Sequence, residues 1–186
     1  MHLLLAQKGA LADADEAIDL GQTPADLVFI SAADSELASL SAAAAGLSGG
    51  PDLRLANMMA LSHPMSIDVY AHQTVAGSRM VVVRVLGGES YWPYGLEVLH
   101  ATCVQAKIPL IVLPGDDKPD PSLERFNTLD HDVRLTIWNY LREGGDDNAR
   151  NLLRYCNHLL GAEDAEIPPP KPLLKAGLWW PGLAAP

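Results

Sequence analysis

Apolar residues in this chain fall into short, partly β-branched runs separated by longer stretches with a helical period. The runs are Leu27–Ile30, Leu53–Ala56, Met80–Leu86 and Pro109–Leu113, and their starts lie 26, 27 and 29 residues apart. Two parallel strands need a crossover of a dozen or more residues, usually a helix, so this spacing predicts repeated β-α units. Met-Val-Val-Val-Arg-Val-Leu and Leu-Ile-Val-Leu read as central strands buried on both faces. The expected fold is α/β: a three-layer αβα, doubly wound, mostly parallel sheet of flavodoxin or Rossmann type. It should carry at least four strands, with helices on both faces.

The stretches between the runs carry helix signals. Ser31-Ala-Ala-Asp34 resembles a capping box before an alanine-rich helix that Gly46 would end. Pro64 suits a first helical position, with Met65, Val69, His72 and Ala76 along one face. Pro93 would open a helix carrying Leu96, Leu99 and Cys103. Two more stripes follow: Val133, Ile137 and Leu141, closed by Gly144-Gly145, then Ala149, Leu152, Leu153 and Cys156, closed by Gly161. Residues 8–24 show no clear period and read as a loop. Met1–Gln7 reads as an edge or first strand and not as a signal peptide, since it lacks a basic leader.

Past Gly161 the composition changes. Glu163-Asp-Ala-Glu166 precedes Pro168-Pro-Pro170, Lys171 and Pro172, which is the chemistry of a stiff, solvated linker. The expected organisation is a head domain over 1–161 and a Pro-rich linker over 162–186, leading to a larger body. Trp179-Trp180 in that tail would pack on this domain or on a surface outside it.

Composition narrows the partners. Acidic residues outnumber basic ones 23 to 13, for a net charge of −10. Phosphates and anionic membrane surfaces both require clustered Lys and Arg, so neither nucleic acid nor a membrane is expected. No run approaches the ~18 continuous apolar residues of a spanning helix. The expected compartment is the cytoplasm, with Cys103 and Cys156 as reduced core thiols.

In open parallel sheets, ligands bind outside the carboxyl ends of the strands. The unusual residues of this chain follow its apolar runs and would meet at that rim: His63, Gly87, Gly88, Tyr91, Trp92, Tyr94 and Asp116. Gly87-Gly88 lacks the GxGxxG spacing and reads first as a tight turn. Tyr91, Trp92 and Tyr94 could stack on a flat ligand or cap the end of the sheet. His63 reads first as a turn histidine bonded to backbone, and second as a ligand or acid–base group. Asp116 and Asp117 resemble a hard-cation site only loosely, being more like turn residues. The six His and two Cys show no metal-ligand spacing. These residues alone assign no reaction, and a stand-alone small-molecule-binding α/β module fits them too.

Several segments together add a resemblance. Val83-Arg-Val-Leu-Gly-Gly-Glu-Ser-Tyr-Trp-Pro-Tyr-Gly-Leu-Glu97 is similar to a characteristic stretch of the large subunit of aerobic cobaltochelatases. Met1–Gly9, Asp19–Asp26, Phe29–Leu37, Leu61–Asp68 and Leu113–Pro121 resemble that family in the same order. The resemblance implies a subunit that binds hydrogenobyrinic acid a,c-diamide and receives Co²⁺ as substrate during cobalamin biosynthesis. It implies two partner subunits that hydrolyse ATP with Mg²⁺. The related magnesium chelatase large subunit, which binds protoporphyrin, is the near alternative. Family members are several times longer, so no catalytic residue carries over onto this chain. Because the macrocycle bears carboxylates and this chain is acidic, the expectation is a head that caps or gates the tetrapyrrole cavity, or docks partners.

Overall fold

The computed structural model describes residues 16–163 and 166–173. Four strands, β1 (Leu27–Ser31), β2 (Leu53–Asn57), β3 (Met80–Val85) and β4 (Leu110–Pro114), form one sheet in the order β2-β1-β3-β4. All three pairings are parallel, with Leu27 facing both Leu53 and Met80, and Val81 facing Leu110. Among the described residues, five α-helices flank the sheet: α1 (Asp34–Ala45), α2 (Pro64–Gln73), α3 (Pro93–Ala106), α4 (His131–Glu143) and α5 (Asp146–Leu159). The α/β class and the parallel sheet are those expected from the run spacing.

Strand side chains alternate between two cores, as the pleat requires. Val28, Ile30, Val81 and Val83 pack with Ile67 and Tyr70 of α2 and with Leu96, Leu99 and Cys103 of α3. Leu27, Phe29, Met80 and Val82 pack with Leu40 of α1, Ile137 of α4 and Leu152, Leu153 and Cys156 of α5. Central strands β1 and β3 are therefore buried on both faces, and their Val, Ile and Phe content follows from that.

Among the described residues, side chains pair backbone groups along both outer strands. Along β4, Asn127 Oδ1 accepts from Val112 N, and Asn127 Nδ2 donates to the carbonyls of Val112 and Leu123. Thr128 donates its backbone N–H to Leu110 O and accepts from Leu110 N at its hydroxyl. Along β2, Gln22 Nε2 donates to Leu55 O. Groups that would otherwise lie bare are thus paired.

Local details depart from the sequence pattern in four places. Leu86 does not continue β3: the strand ends at Val85, and Leu86 is exposed, because the glycine turn begins to leave the sheet there. The capping box does not form. Ser31 is the last residue of β1; its hydroxyl donates to Glu36 and accepts from Ala33 N, and Ala33 caps α1 without a side-chain bond. The inward face of α2 is Ser66, Ile67, Tyr70 and Ala71, while Met65 and His72 point outward. Polar atoms on that face are satisfied: Ser66 Oγ accepts from Ile18 N, and Tyr70 OH donates to Gln22 Oε1. A stripe chosen by hydrophobicity alone misses a face of that kind. Lastly, residues 166–173 do not run free in solvent. Tyr140 OH donates to Pro168 O, and Asn148 exchanges two hydrogen bonds with the Lys171 backbone.

Both cysteines are free and buried, as reduced core thiols should be, and burial pushes each thiol up to about 12. No helix among the described residues is long and apolar enough to cross a membrane. Met1–Gln7 and Trp179-Trp180 lie outside the described residues.

Candidate functional site

The strand order reverses between β1 and β3, and the crevice outside their carboxyl ends is where such sheets usually take ligands. Here a polar network lines the crevice. Ser31 and Arg84 face each other across the two strands. The Arg84 guanidinium pairs with Glu36 of α1 and also donates to the carbonyls of Pro114 and Gly115. Ser31 donates to the same Glu36 carboxylate at 2.7 Å. Arg84 and Glu36 are 10% and 13% exposed, so the pair is nearly buried and each charge is compensated by the other. One network thus ties β1, α1, β3 and the loop after β4 together.

The rim segment after β3 carries the predicted aromatic cluster. Gly87 and Gly88 have φ of 91° and 74°, in the left-handed region open to glycine. They turn the chain out of the sheet, and a Cβ on Gly88 would also press on the Asp120 carboxylate. Pro93 then starts α3 with its fixed φ. The three aromatics part company here. Trp92 turns inward, 7% exposed, with Nε1 donating to Leu61 O at 3.1 Å. Its ring occupies the space a side chain at Gly95 would need. Tyr91 and Tyr94 stay outside, 52% and 46% exposed. Tyr91 OH reaches Met59 Sδ at 3.4 Å, and Tyr94 OH donates to Asp68 at 2.8 Å, a bond that pushes the Tyr94 hydroxyl above its usual range.

His63 caps α2: its Nδ1 accepts from Met65 N at 3.1 Å. That leaves the proton of the neutral ring on Nε2. Asp116 lies in the loop after β4, where Oδ1 accepts from Lys118 N and its carbonyl accepts from Trp138 Nε1. Both residues therefore do the turn and cap work that was the plainer reading of each. Among the described residues, no group of three or more His, Cys, Asp or Glu is placed to hold a metal ion.

Arg125 plays a part the sequence did not announce. It binds Glu89 at 2.7 Å and Glu97 at 2.6 Å and stacks 4.1 Å from the Phe126 ring centroid. The Arg125 hydrogen bond holds the Glu89 carboxyl below the usual carboxylate range. Arg84 and Glu89 thus belong to two separate pairs. Arg125 lies 36 residues from Glu89, and no local spacing rule links them.

Two cavities open near this end of the sheet. One, about 330 Å³, is lined by Glu36, Arg84, Ser35, Tyr140 and Gly144-Gly145. Another, about 270 Å³ and largely apolar, lies beside Leu113, Leu123, Arg134 and Trp138. The first sits near the bottom of the ~300–1,000 Å³ typical of small-molecule pockets, and the second falls below it.

Comparison with known proteins identifies the relationship. No family model matches the chain. The aerobic cobaltochelatase subunit CobN of Sinorhizobium sp. is 56% identical over 183 residues, which is 98% of this chain. Its counterpart from Pseudomonas aeruginosa is 37% identical over 182 residues, 97% of the chain. The chain spans 14% of the length of each. The solved catalytic subunit of cobaltochelatase from Mycobacterium tuberculosis superposes with a TM-score of 0.64 at 26% identity, over 83% of this chain and 12% of that one. This α/β domain is therefore homologous to part of a metal chelatase subunit. Over nearly its whole length its family is that of the aerobic cobaltochelatase subunit CobN.

Proposed function

We propose that this chain is the N-terminal head of a cobaltochelatase large subunit, and that the head caps or gates the tetrapyrrole cavity. In this reading the whole subunit works in the cytoplasm during cobalamin biosynthesis. It binds hydrogenobyrinic acid a,c-diamide and receives Co²⁺, while two partner subunits hydrolyse ATP with Mg²⁺. The observation that carries the proposal is the 56% identity to a cobaltochelatase subunit across 98% of the chain.

The geometry favours a cap over a self-sufficient binding module. Arg84, Glu36 and Ser31 line the crevice in which a flavodoxin-like sheet would hold its ligand and are bonded to one another there. The two cavities beside the rim are small for a tetrapyrrole. Arg84 and Arg125 are already paired with carboxylates and do not offer themselves to an anionic macrocycle.

The test is cobalt insertion by the full-length subunit with its two partners, with and without residues 1–161. The intact subunit should insert Co²⁺ in an ATP-dependent reaction. The shortened one should still bind the macrocycle but release it faster and turn over more slowly. Equal macrocycle release and turnover would refute gating, and absence of cobalt insertion by the intact subunit would refute the family-level reading.

A further inference from the structure

Nine large hydrophobic side chains are exposed among the described residues, and five of them lie on the segments that follow β2 and β3. Met59 follows β2, Leu86 and Tyr91 follow β3, and Met65 and Tyr94 stand at the starts of α2 and α3. All five are between 46% and 59% exposed. Tyr91 touches Met59, and Tyr94 bonds Asp68, which is one helical turn beyond Met65. Gly87 and Gly88 connect Leu86 to Tyr91, and Gly115 is pressed against the Leu86 backbone. The result is a set of exposed methionine, leucine and tyrosine side chains at the carboxyl end of the sheet, and methionine and tyrosine are enriched at protein interfaces.

Its border is acidic. Asp34 bonds Asn57 at the end of β2, Asp68 holds Tyr94, and Glu89 adjoins Tyr91. The guanidinium that meets Glu89 also serves Glu97. A carboxylated ligand gains little from such a border, whereas a protein surface with an apolar centre and Lys or Arg around it would complement it.

The course of the tail points to the occupant. From Pro168, bonded to Tyr140, the chain passes Lys171 on Asn148 and reaches Leu173, which lies against Gly145. Gly144-Gly145 line the same cavity as Glu36 and Arg84, at the carboxyl end of the sheet. The described chain therefore finishes at the end of the domain that carries the apolar face. Chain continuing from there needs no long detour to cover it, and tethering raises its effective concentration. The relatives are longer by most of their length, since this chain spans 14% of them.

We propose that the face formed by Met59, Met65, Leu86, Tyr91 and Tyr94 is the surface on which the body of the same large subunit seats. This inference rests on the reading of the chain as the head of a larger subunit. Its occupant presents an apolar centre with a basic rim.

Hydrogen exchange on the intact large subunit tests it, first alone, then with partners, then with macrocycle. Wild type is compared with Leu86→Asp, Tyr91→Asp and a control, Val104→Asp, at an exposed site elsewhere on α3. Melting curves check that each variant folds. The expected result is protection of amides 57–66 and 86–94 in the subunit alone. Leu86→Asp and Tyr91→Asp should each speed their exchange by about tenfold or more, and Val104→Asp should not. Protection that appears only with the partner subunits overturns the proposal in favour of a partner in trans. Protection that appears only with macrocycle overturns it in favour of a ligand face, and equal exchange in all variants overturns it outright. Cobalt insertion by the wild-type subunit is measured in parallel. Its absence would fault the family-level reading, whereas its presence with an unprotected face faults only this inference.

Discussion

Trp92→Ala should destabilise the domain as loss of a core aromatic does, although the residue sits in a segment rich in exposed aromatics. The indole is 7% exposed, packs over Gly95 and donates its only proton to Leu61 O. Removing a buried aromatic of this size costs about 3–5 kcal/mol. Trp92→Phe keeps much of the apolar contact but leaves the Leu61 carbonyl without its donor, so it should cost about 1–3 kcal/mol. Gly95→Ala supplies a second test, one that runs against helix propensity. Alanine favours a helix interior over glycine by about 1 kcal/mol. A methyl at Gly95 would nevertheless fall within the Trp92 ring, so the substitution should destabilise. Urea unfolding with a constant slope reads all three as shifts in midpoint. For a chain of this length each kcal/mol moves Tm by about 2–4 °C, so Trp92→Ala should lower it by about 10 °C. If Trp92→Ala and Gly95→Ala both unfold within about 0.5 kcal/mol of the parent, as ordinary surface changes do, the indole is not part of the core. Its burial would then carry none of the argument made for it.

Other expectations follow from the same structure. Arg84→Ala leaves Glu36 nearly buried and unpaired and should cost about 3–5 kcal/mol, while Arg84→Met with Glu36→Met should cost less than the single change; a denaturation double-mutant cycle decides. Glu89 is held below its ordinary value of 4.5 by Arg125, so its contribution to stability is present above that value and is lost as pH falls through the folded pKa. In Arg125→Ala a carbon-detected titration should show the Glu89 midpoint rising toward the ordinary value, and no rise would refute the pairing. Cys103 and Cys156, with thiols pushed up to about 12, should resist a thiol-directed reagent at neutral pH until the protein is unfolded. Rapid labelling of either in native protein would refute their burial.

The β-α rhythm made the fold readable, because four buried parallel strands must be apolar on both faces and must be spaced by crossovers. The stripes of α3 and α5 were readable for the same reason: Leu96, Leu99 and Cys103, and Leu152, Leu153 and Cys156, all face inward. The face of α2 was not, since Tyr70 and Ser66 are buried by satisfying polar atoms through residues 18 and 22, and pattern counting sees only the polarity. At the rim, the residues that would gather were legible from their places after the runs. Their orientations were not: Trp92 and Tyr91 are adjacent, yet one is core and the other surface. Arg125 and Asn127 escaped notice because their partners are distant in sequence, and an isolated Arg or Asn in a polar stretch carries no period. The chelatase relationship came from ordered segments, which physical pattern alone did not supply.

The paired β4 edge of the sheet bears on how this domain can change over evolutionary time. A bare strand edge is a place where inserted sequence can be absorbed as another strand, or where two copies can polymerise. Here Asn127 and Thr128 satisfy the β4 side, and Gln22 occupies a carbonyl on the β2 side. Additions to the sheet would first have to displace bonds already made. Insertions on the β4 side are therefore steered toward the loops, and diversification among relatives should concentrate there.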